Sequence, residues 1–314
     1  MPFTTIPNEL ILEIAEVLPA RDLSVLSRKN STLSHLLTPP LRRAEQSDIG
    51  RCIILDRPAS LRSILRPPNT ILNIDYNIVV PGDHIHAWPL HYPAQHCSPA
   101  LVATIIALGA PVDEPERDNI PNCVTTLQCA VLSGNLTTVT HVLNSGADIN
   151  RTSDHNGCTP LALACVISDE PVAHLLIDRG ARLGADVLVT AAYRCVLSVL
   201  ERLLDMGVPV DIPYYSTNAQ QSITALQRVC RLNSGGGIRA VEVLLRRGAD
   251  VNSGKGGWLL PLYNCVRGGN LALARLLIDF GAERDAMYRG QTLAAVAAAR
   301  GDTEMVELLE SYGR

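Results

Sequence analysis

The sequence predicts an all-α fold of stacked helix pairs, and three observations support this prediction. The 314-residue chain is 47% hydrophobic but only 4% aromatic, so its core must consist mainly of aliphatic side chains. A glycine-led phrase, typified by Gly248-Ala249-Asp250-Val251-Asn252, recurs along the chain. A nearly constant interval separates each such glycine from an apolar residue upstream. A repeat of this kind predicts an array of small helical units.

Each recurring glycine stands where a helix is expected to end. An apolar pair typical of the buried side of a helix precedes it, such as Leu176-Ile177 before Gly180. The residue just past a helix C-terminus often takes a positive φ, which glycine adopts without a steric penalty. The glycines predicted to end helices are Gly109, Gly146, Gly180, Gly207, Gly248, Gly281 and Gly313.

The interval of nineteen residues before the glycine accommodates two short antiparallel helices and their turn. The residues at that distance are Leu90, Leu127, Leu161, Leu188, Leu262 and Ala294. Gly248 departs from the rule, because Gly235–Gly237 inserts three residues between its two helices. One helix pair cannot bury its own apolar face, so the pairs must stack. No strand is expected between residues 120 and 310.

The connections between helix pairs carry nearly all the variation in length. Only 8 residues separate Gly180 from Leu188, whereas 19 separate Gly207 from Leu226. The sequence therefore predicts that one connecting hairpin is truncated and that the others are of variable length.

These units resemble ankyrin repeats. The matching phrases are Thr159-Pro160-Leu161 with Ala164, Trp88-Pro89-Leu90-His91, Leu260-Pro261-Leu262 and the Gly-Ala-Asp-x-Asn runs. The resemblance covers residues 82–314 as seven units, and residues 44–81 are interpreted as a degenerate entry repeat. It implies that the hairpin tips and the inner helix face form a concave receptor for another protein.

Residues 1–43 do not follow the repeat and predict three short helices. Leu10, Ile14 and Leu18 form an apolar stripe at helical spacing, Pro19 ends the first helix, and Asp22 is a suitable cap for the second. So small a unit would be marginal alone. It needs a neighbouring repeat or a partner to pack against.

This segment resembles an F-box. The matching pieces are Ile6-Pro7, Leu10, Ile14, Leu18-Pro19, Asp22-Leu23 and Leu26. The resemblance implies docking on the Skp-type linker subunit of a cullin-based ubiquitin ligase. The implied docking surface consists of Pro7, Leu10, Ile14, Leu18, Pro19 and Leu23. The alternative is a plain helical end cap.

Aromatic and charged residues of the inter-unit connections are the predicted target-binding residues. Tyr and Trp often anchor protein interfaces, and the core does not need them in these connections. The set is Arg151, Asp154, His155, Tyr214, Tyr215, Lys255, Trp258, Tyr288 and Arg289. The alternative for Tyr214 and Tyr215 is that they only shield a long hairpin.

No residue set predicts catalysis, a cofactor or a metal. His84, His86, His91 and His96 lie close to Cys97, but their spacing matches no standard zinc site, and His91 has a structural position in the repeat. Cys165, Cys230 and Cys265 are interpreted as small buried spacers. Hydrolase, nucleotide-binding and metalloprotease motifs are absent from the sequence. Acidic residues such as Asp113 and Asp211 recur with the repeat instead of converging on a pocket.

The charge and hydropathy of the chain limit the classes of partner to be expected. A net charge of −4 argues against a surface for nucleic acid, and no stretch predicts a membrane span or a signal peptide. The expected compartment is the cytosol or the nucleus. The leading hypothesis is therefore a substrate-receptor subunit of a ubiquitin ligase that captures an unknown target protein. A non-catalytic scaffold or inhibitor is the alternative, and a metal protein or enzyme is the least favoured.

Overall fold

The structure is a computed structural model that describes residues 52, 56–59, 77–80, 83–86, 90–113, 125–152, 157–216, 221–231, 237–254 and 260–311. The chain divides into two compact units, Met1–Asp148 and Ile149–Arg314. The F-box-like segment 1–43 lies outside the described residues, and so does every residue of the implied docking surface.

The first unit contains one strand pair and two helix pairs among its described residues. Its elements are β1 (Asn77–Val80), β2 (Asp83–His86), α1 (His91–His96), α2 (Pro99–Ala107), α3 (Thr126–Ser133) and α4 (Leu136–Asn144). The first helix of one pair packs on the first helix of the next, and the second helix packs on the second: α1 contacts α3, and α2 contacts α4. Thr125 and Gln128 form a capping box that starts α3.

The second unit contains five helix pairs among its described residues. The helices are α5 (Pro160–Ile167), α6 (Glu170–Asp178), α7 (Ala185–Tyr193), α8 (Leu197–Asp205), α9 (Ala225–Val229), α10 (Gly237–Arg246), α11 (Pro261–Gly268), α12 (Leu271–Asp279), α13 (Leu293–Ala299) and α14 (Thr303–Glu310). Two antiparallel hairpins join neighbouring pairs. They are β3 (Tyr214–Ser216) with β4 (Gln221–Ile223), and β5 (Met287–Tyr288) with β6 (Gln291–Thr292).

The strands correct the all-α prediction. The fold is mostly helical, and two strand pairs lie between residues 120 and 310, where none was expected. Both occupy connections between helix pairs, where the chain is long enough to fold back on itself and pair its own backbone groups. The 8-residue connection after Gly180 contains no strand, as expected for a truncated hairpin.

The prediction that the recurring glycines end helices is confirmed at the six that are described. All six have φ between 83° and 94°. At Gly248 the backbone N–H donates to the Leu245 carbonyl at 3.0 Å, and the Ala249 N–H donates to the Leu244 carbonyl at 3.1 Å. These two bonds define a Schellman motif. The apolar residue after the glycine closes the motif, and Ala249 is accordingly buried.

The core consists of leucines and small residues at repeating positions. Leu90, Leu127, Leu161, Leu188 and Leu262 are at most 1% exposed. Cys165, Cys230 and Cys265 are equally buried, which confirms their interpretation as spacers. In the last pair the buried residue is Leu293, whereas Ala294, which the interval selected, is partly exposed.

A side chain four residues past the glycine ties one helix pair to the next. The Asn252 side-chain oxygen, for example, accepts a hydrogen bond from the Glu283 backbone N–H at 2.9 Å. Four such bonds form what we call the Asx ladder. They join Asp148 N–H to Asp113, Arg182 N–H to Asn150, Asp250 N–H to Asp211, and Glu283 N–H to Asn252. The ladder gives a structural reason why these acidic and amide residues recur with the repeat.

Candidate functional site

Five of the nine predicted target-binding residues are described by the structure. Arg151 is half-buried after α4, Tyr214 and Tyr215 lie on β3, Tyr288 ends β5, and Arg289 lies in the following turn. The other four, Asp154, His155, Lys255 and Trp258, fall outside the described residues. The described five do not form one cluster, because they belong to three different connections.

The β3–β4 hairpin separates its two tyrosines. Tyr214 pairs with Ile223 and is half-buried, whereas Tyr215 pairs with Ser222 and is 59% exposed. Ile223 itself is only 2% exposed, so its side of the hairpin faces the core. Tyr214 therefore fits the shielding alternative, and Tyr215 has the exposure that a binding anchor needs.

Tyr288 packs on a tyrosine that the sequence analysis missed. Its ring centroid lies 4.1 Å from that of Tyr263, which is buried near the start of α11. Burial, and then the neighbouring Tyr288, raises the pKa of the Tyr263 hydroxyl. The Arg289 guanidinium lies 5.5 Å from the centroid of the Tyr288 ring. The signal for Tyr263 was its position directly after Pro261-Leu262, which is the position of His91 in its own unit.

A second arginine–tyrosine contact joins two first helices. The Arg228 guanidinium carbon of α9 lies 4.2 Å from the centroid of the Tyr193 ring of α7, within cation–π range. Both residues are half-buried. They stand 35 residues apart at different positions of their units, so the repeat pattern gave no signal for this contact.

A polar network joins the second helices α6 and α8. Ser198 donates to a Glu170 carboxylate oxygen at 2.6 Å and lies 3.1 Å from His174 Nε2. One guanidinium nitrogen of Arg202 lies 3.0 Å from His174 Nδ1, and the other pairs with Asp178. We call these five residues the α6–α8 network.

The network contains a serine, a histidine and a carboxylate, as a catalytic triad does. The direction of its hydrogen bonds, however, differs from that in a triad. Arg202 can only donate hydrogen bonds, so the His174 Nδ1 atom accepts. A neutral His174 then carries its proton on Nε2 and donates it toward Ser198, while the serine hydroxyl donates to Glu170. A histidine that activates a serine must instead accept the serine proton. The arrangement therefore orders two helices and does not prepare a nucleophile.

Cys97, Cys165 and the half-buried His91 lack the properties of reactive groups. Burial raises the pKa of Cys97 to about 11 and that of Cys165 to about 12, which disfavours the reactive thiolate. Burial lowers the pKa of His91 to about 4, so it is neutral at pH 7. In the described part of the chain, no group of three or more His, Cys, Asp or Glu residues is arranged to hold a metal ion. The described helices are also all too short or too polar to cross a membrane.

Comparison with known proteins agrees with this architecture. Residues 90–187 match the family model for ankyrin repeats, in three copies. This match and the stacked helix pairs support an ankyrin repeat protein with a mostly helical solenoid fold. Ankyrin repeats indicate a protein–protein interaction module.

The chain is similar to several individual ankyrin proteins. The mouse B-cell lymphoma 3 protein homolog is 29% identical over 243 residues, which are 73% of this chain and 50% of that relative. The chain thus spans about half the length of that protein. The human ASB11 ankyrin repeat domain superposes with a TM-score of 0.60 at 27% identity, and covers 71% of this chain and 98% of its own. The ankyrin repeat domain of Bcl-3, a unique member of the IkappaB protein family, has a TM-score of 0.56 at 23% identity with the same coverage.

Proposed function

We propose that this chain is a non-catalytic substrate-receptor subunit of a cullin-based ubiquitin ligase. In this proposal the helix pairs and hairpins capture a target protein, and residues 1–43 dock on a Skp-type linker subunit. The proposed compartment is the cytosol or the nucleus. No cofactor is required, because the role consists of binding two proteins at once.

The observation that carries the target-binding half is the exposure of Tyr215. A tyrosine that is 59% exposed at a hairpin contributes little to the core of its own chain. Tyrosine loses little conformational entropy on binding and offers both an apolar ring and a hydroxyl group, and it is therefore common at interface hot spots. The docking half rests on the resemblance of residues 1–43 to an F-box.

A pull-down with a purified Skp-type linker subunit tests the docking half. We expect the wild-type chain to retain the linker and the Leu10→Asp, Leu23→Asp double variant to lose it. The matched control is Leu132→Asp with Leu136→Asp, two leucines of the first unit that are 38% and 43% exposed. The control should bind the linker as the wild type does. Failure of the intact, folded chain to bind any Skp-type linker would contradict the proposal.

The second candidate function is a non-catalytic scaffold or inhibitor in which residues 1–43 form only an end cap. The similarity over 73% of the chain to the mouse B-cell lymphoma 3 protein homolog motivates this second candidate. Replacing residues 1–43 with a designed polar helical cap separates the two functions. A scaffold keeps both its target binding and its cellular effect after the replacement, whereas a ligase receptor keeps target binding alone.

A further inference from the structure

The two helix layers of the second unit differ in charge. The first helices α5, α7, α9, α11 and α13, with the two residues that follow each, carry five arginines and two carboxylates, Asp169 and Asp186. We call these arginines the basic face: Arg194, Arg228, Arg231, Arg267 and Arg300. The second helices α6, α8, α10, α12 and α14, counted in the same way, carry nine carboxylates and six arginines. Because most carboxylates lie on the second helices, the net charge is +3 on the first-helix layer and −3 on the second-helix layer.

Three ion pairs among the described residues of the second unit belong to its second-helix layer. Arg202 pairs with Asp178, Arg246 with Glu242 and Arg247 with Asp205, all of which lie on or directly after second helices. Arg194, Arg267 and Arg300 are exposed and form no ion pair with any carboxylate of the described residues. Their charge is therefore available to an external partner.

The basic face is continuous from α7 to α13. Arg228 of α9 lies over Tyr193 of α7, directly beside Arg194. The Cys265 thiol of α11 contacts the Cys230 carbonyl just past α9 at 4.0 Å, next to Arg231. The face then passes from α11 to α13.

Gly269 lies where the basic face passes from α11 to α13. A Cβ atom there would lie 3.3 Å from a guanidinium nitrogen of Arg300, so the Arg300 side chain reaches the end of α11. Each first helix of the series is thus linked to the next by a contact at or near an arginine.

We propose that the basic face binds an extended acidic segment of a partner protein. The inference rests on the proposed role of the second unit in target capture and specifies the chemistry of the target. Packed helices lie about 8–10 Å apart, and a segment in the extended polyproline II conformation advances about 3.1 Å per residue with three residues per turn. An acidic side chain at every third residue therefore matches the spacing of the arginines. The three helix spacings between Arg194, just past α7, and Arg300, just past α13, correspond to roughly ten residues of such a segment.

A protein segment fits this face better than a nucleic acid. The chain carries a net charge of −4, and the carboxylates of the second helices repel a large polyanion at long range. The basic face also contains no lysine, and arginine forms bidentate bonds with carboxylates. Guanidinium groups in a single line therefore suit carboxylates that are regularly spaced along one segment.

Fluorescence anisotropy with the full-length chain tests the proposal. The probe is a labelled peptide of about twelve residues with Glu at every third position and Ser or Gly between. We expect saturable binding that weakens as salt concentration rises, and Arg194→Gln with Arg267→Gln should weaken it at least about tenfold. The matched control is Arg239→Gln with Arg275→Gln, two exposed arginines of second helices that form no ion pair in the described residues. The control should change binding less than about twofold.

Charge reversal keeps the test decisive if a neutral variant loses stability. Arg194→Glu with Arg267→Glu should abolish binding of the acidic peptide and create binding of the corresponding Lys peptide. Equal losses in the basic-face and control variants would overturn the proposal, as would tighter binding of a single-stranded oligonucleotide of the same length. Linker docking through residues 1–43 is measured separately, so failure of this assay leaves that half of the proposed function standing.

Discussion

Two junctions between helix pairs of the second unit are held together by different interactions. The Asx ladder connects the α9–α10 pair to the α11–α12 pair, because Asn252 accepts a hydrogen bond from the Glu283 N–H and donates one to the Gly281 carbonyl. Between the α5–α6 and α7–α8 pairs, the ladder is missing. Its acceptor position is occupied by Gly184, which has no side chain, and its donor position by Pro209, which has no N–H. The α6–α8 network holds these two helix pairs together instead.

Connection length and the strength of the junction between helix pairs are therefore separate properties. The truncated connection after Gly180 supplies no ladder acceptor, and Pro209 in the next connection supplies no donor. A polar network on the second-helix layer makes the contact instead. Hairpins can therefore vary in length without leaving the pairs unconnected. This freedom permits long hairpins, such as the one that carries Tyr215.

The largest effect is expected from removing the centre of the α6–α8 network. Arg202→Met keeps the aliphatic stem but loses the bonds to His174 and Asp178, and should lower the free energy of unfolding by about 2 kcal/mol. Arg247→Met removes a similarly exposed ion pair with Asp205 that belongs to no network, and should cost less than about 0.5 kcal/mol. Urea unfolding followed by circular dichroism measures both. Equal costs would mean that the network adds nothing to the junction.

A smaller effect is expected from breaking the ladder. Asn252→Ala removes two hydrogen bonds and should cost about 1.5 kcal/mol in the same assay. The matched control is Asp285→Ala, which has the same position in the last glycine phrase but no ladder bond in the described residues. The control is expected to change stability by less than about 0.5 kcal/mol. A control as destabilising as Asn252→Ala would assign the effect to the local turn.

The smallest effect, and one that changes sign, concerns Gly184. A Cβ atom there would lie 2.3 Å from an Asp186 carboxylate oxygen, and the other oxygen accepts a hydrogen bond from Thr159 at 3.2 Å. Gly184→Ala should therefore displace Asp186 and cost about 1 kcal/mol.

The Asp186→Ala background removes that clash. In this background Gly184→Ala should be neutral, or stabilising by up to about 0.5 kcal/mol, because alanine restricts the unfolded chain more than glycine does. A double-mutant cycle measures the coupling. A cost that is the same in both backgrounds would rule out the Asp186 contact as its cause.

The sequence predicted the helix pairs well because their signals are local. Glycines at helix ends, the buried leucines and the small cysteines follow from spacing within one unit. The strand pairs were missed, because a constant helical interval says nothing about how a variable connection folds. In the last pair, counting back from Gly313 selected Ala294 although the neighbouring Leu293 is the buried residue.

The contacts between units were harder to predict. The repeat phase selected the acceptors of the Asx ladder, but their donors are backbone groups, which no residue pattern reveals. The α6–α8 network and the Arg228–Tyr193 contact join residues 24 to 35 positions apart with no shared phase. The docking surface implied for residues 1–43 and all nine target-binding residues stay predictions.

Amide hydrogen exchange at two ladder donors tests the central structural claim most directly. In the native full-length chain, the amide protons of Asp250 and Glu283 should exchange slowly, because Asp211 and Asn252 hold them. Asp211→Ala should speed exchange at Asp250 by at least about tenfold and leave Glu283 unchanged, and Asn252→Ala should do the reverse. Unprotected amides in the wild-type chain, or protection that survives both substitutions, would contradict the claim that these side chains tie one helix pair to the next.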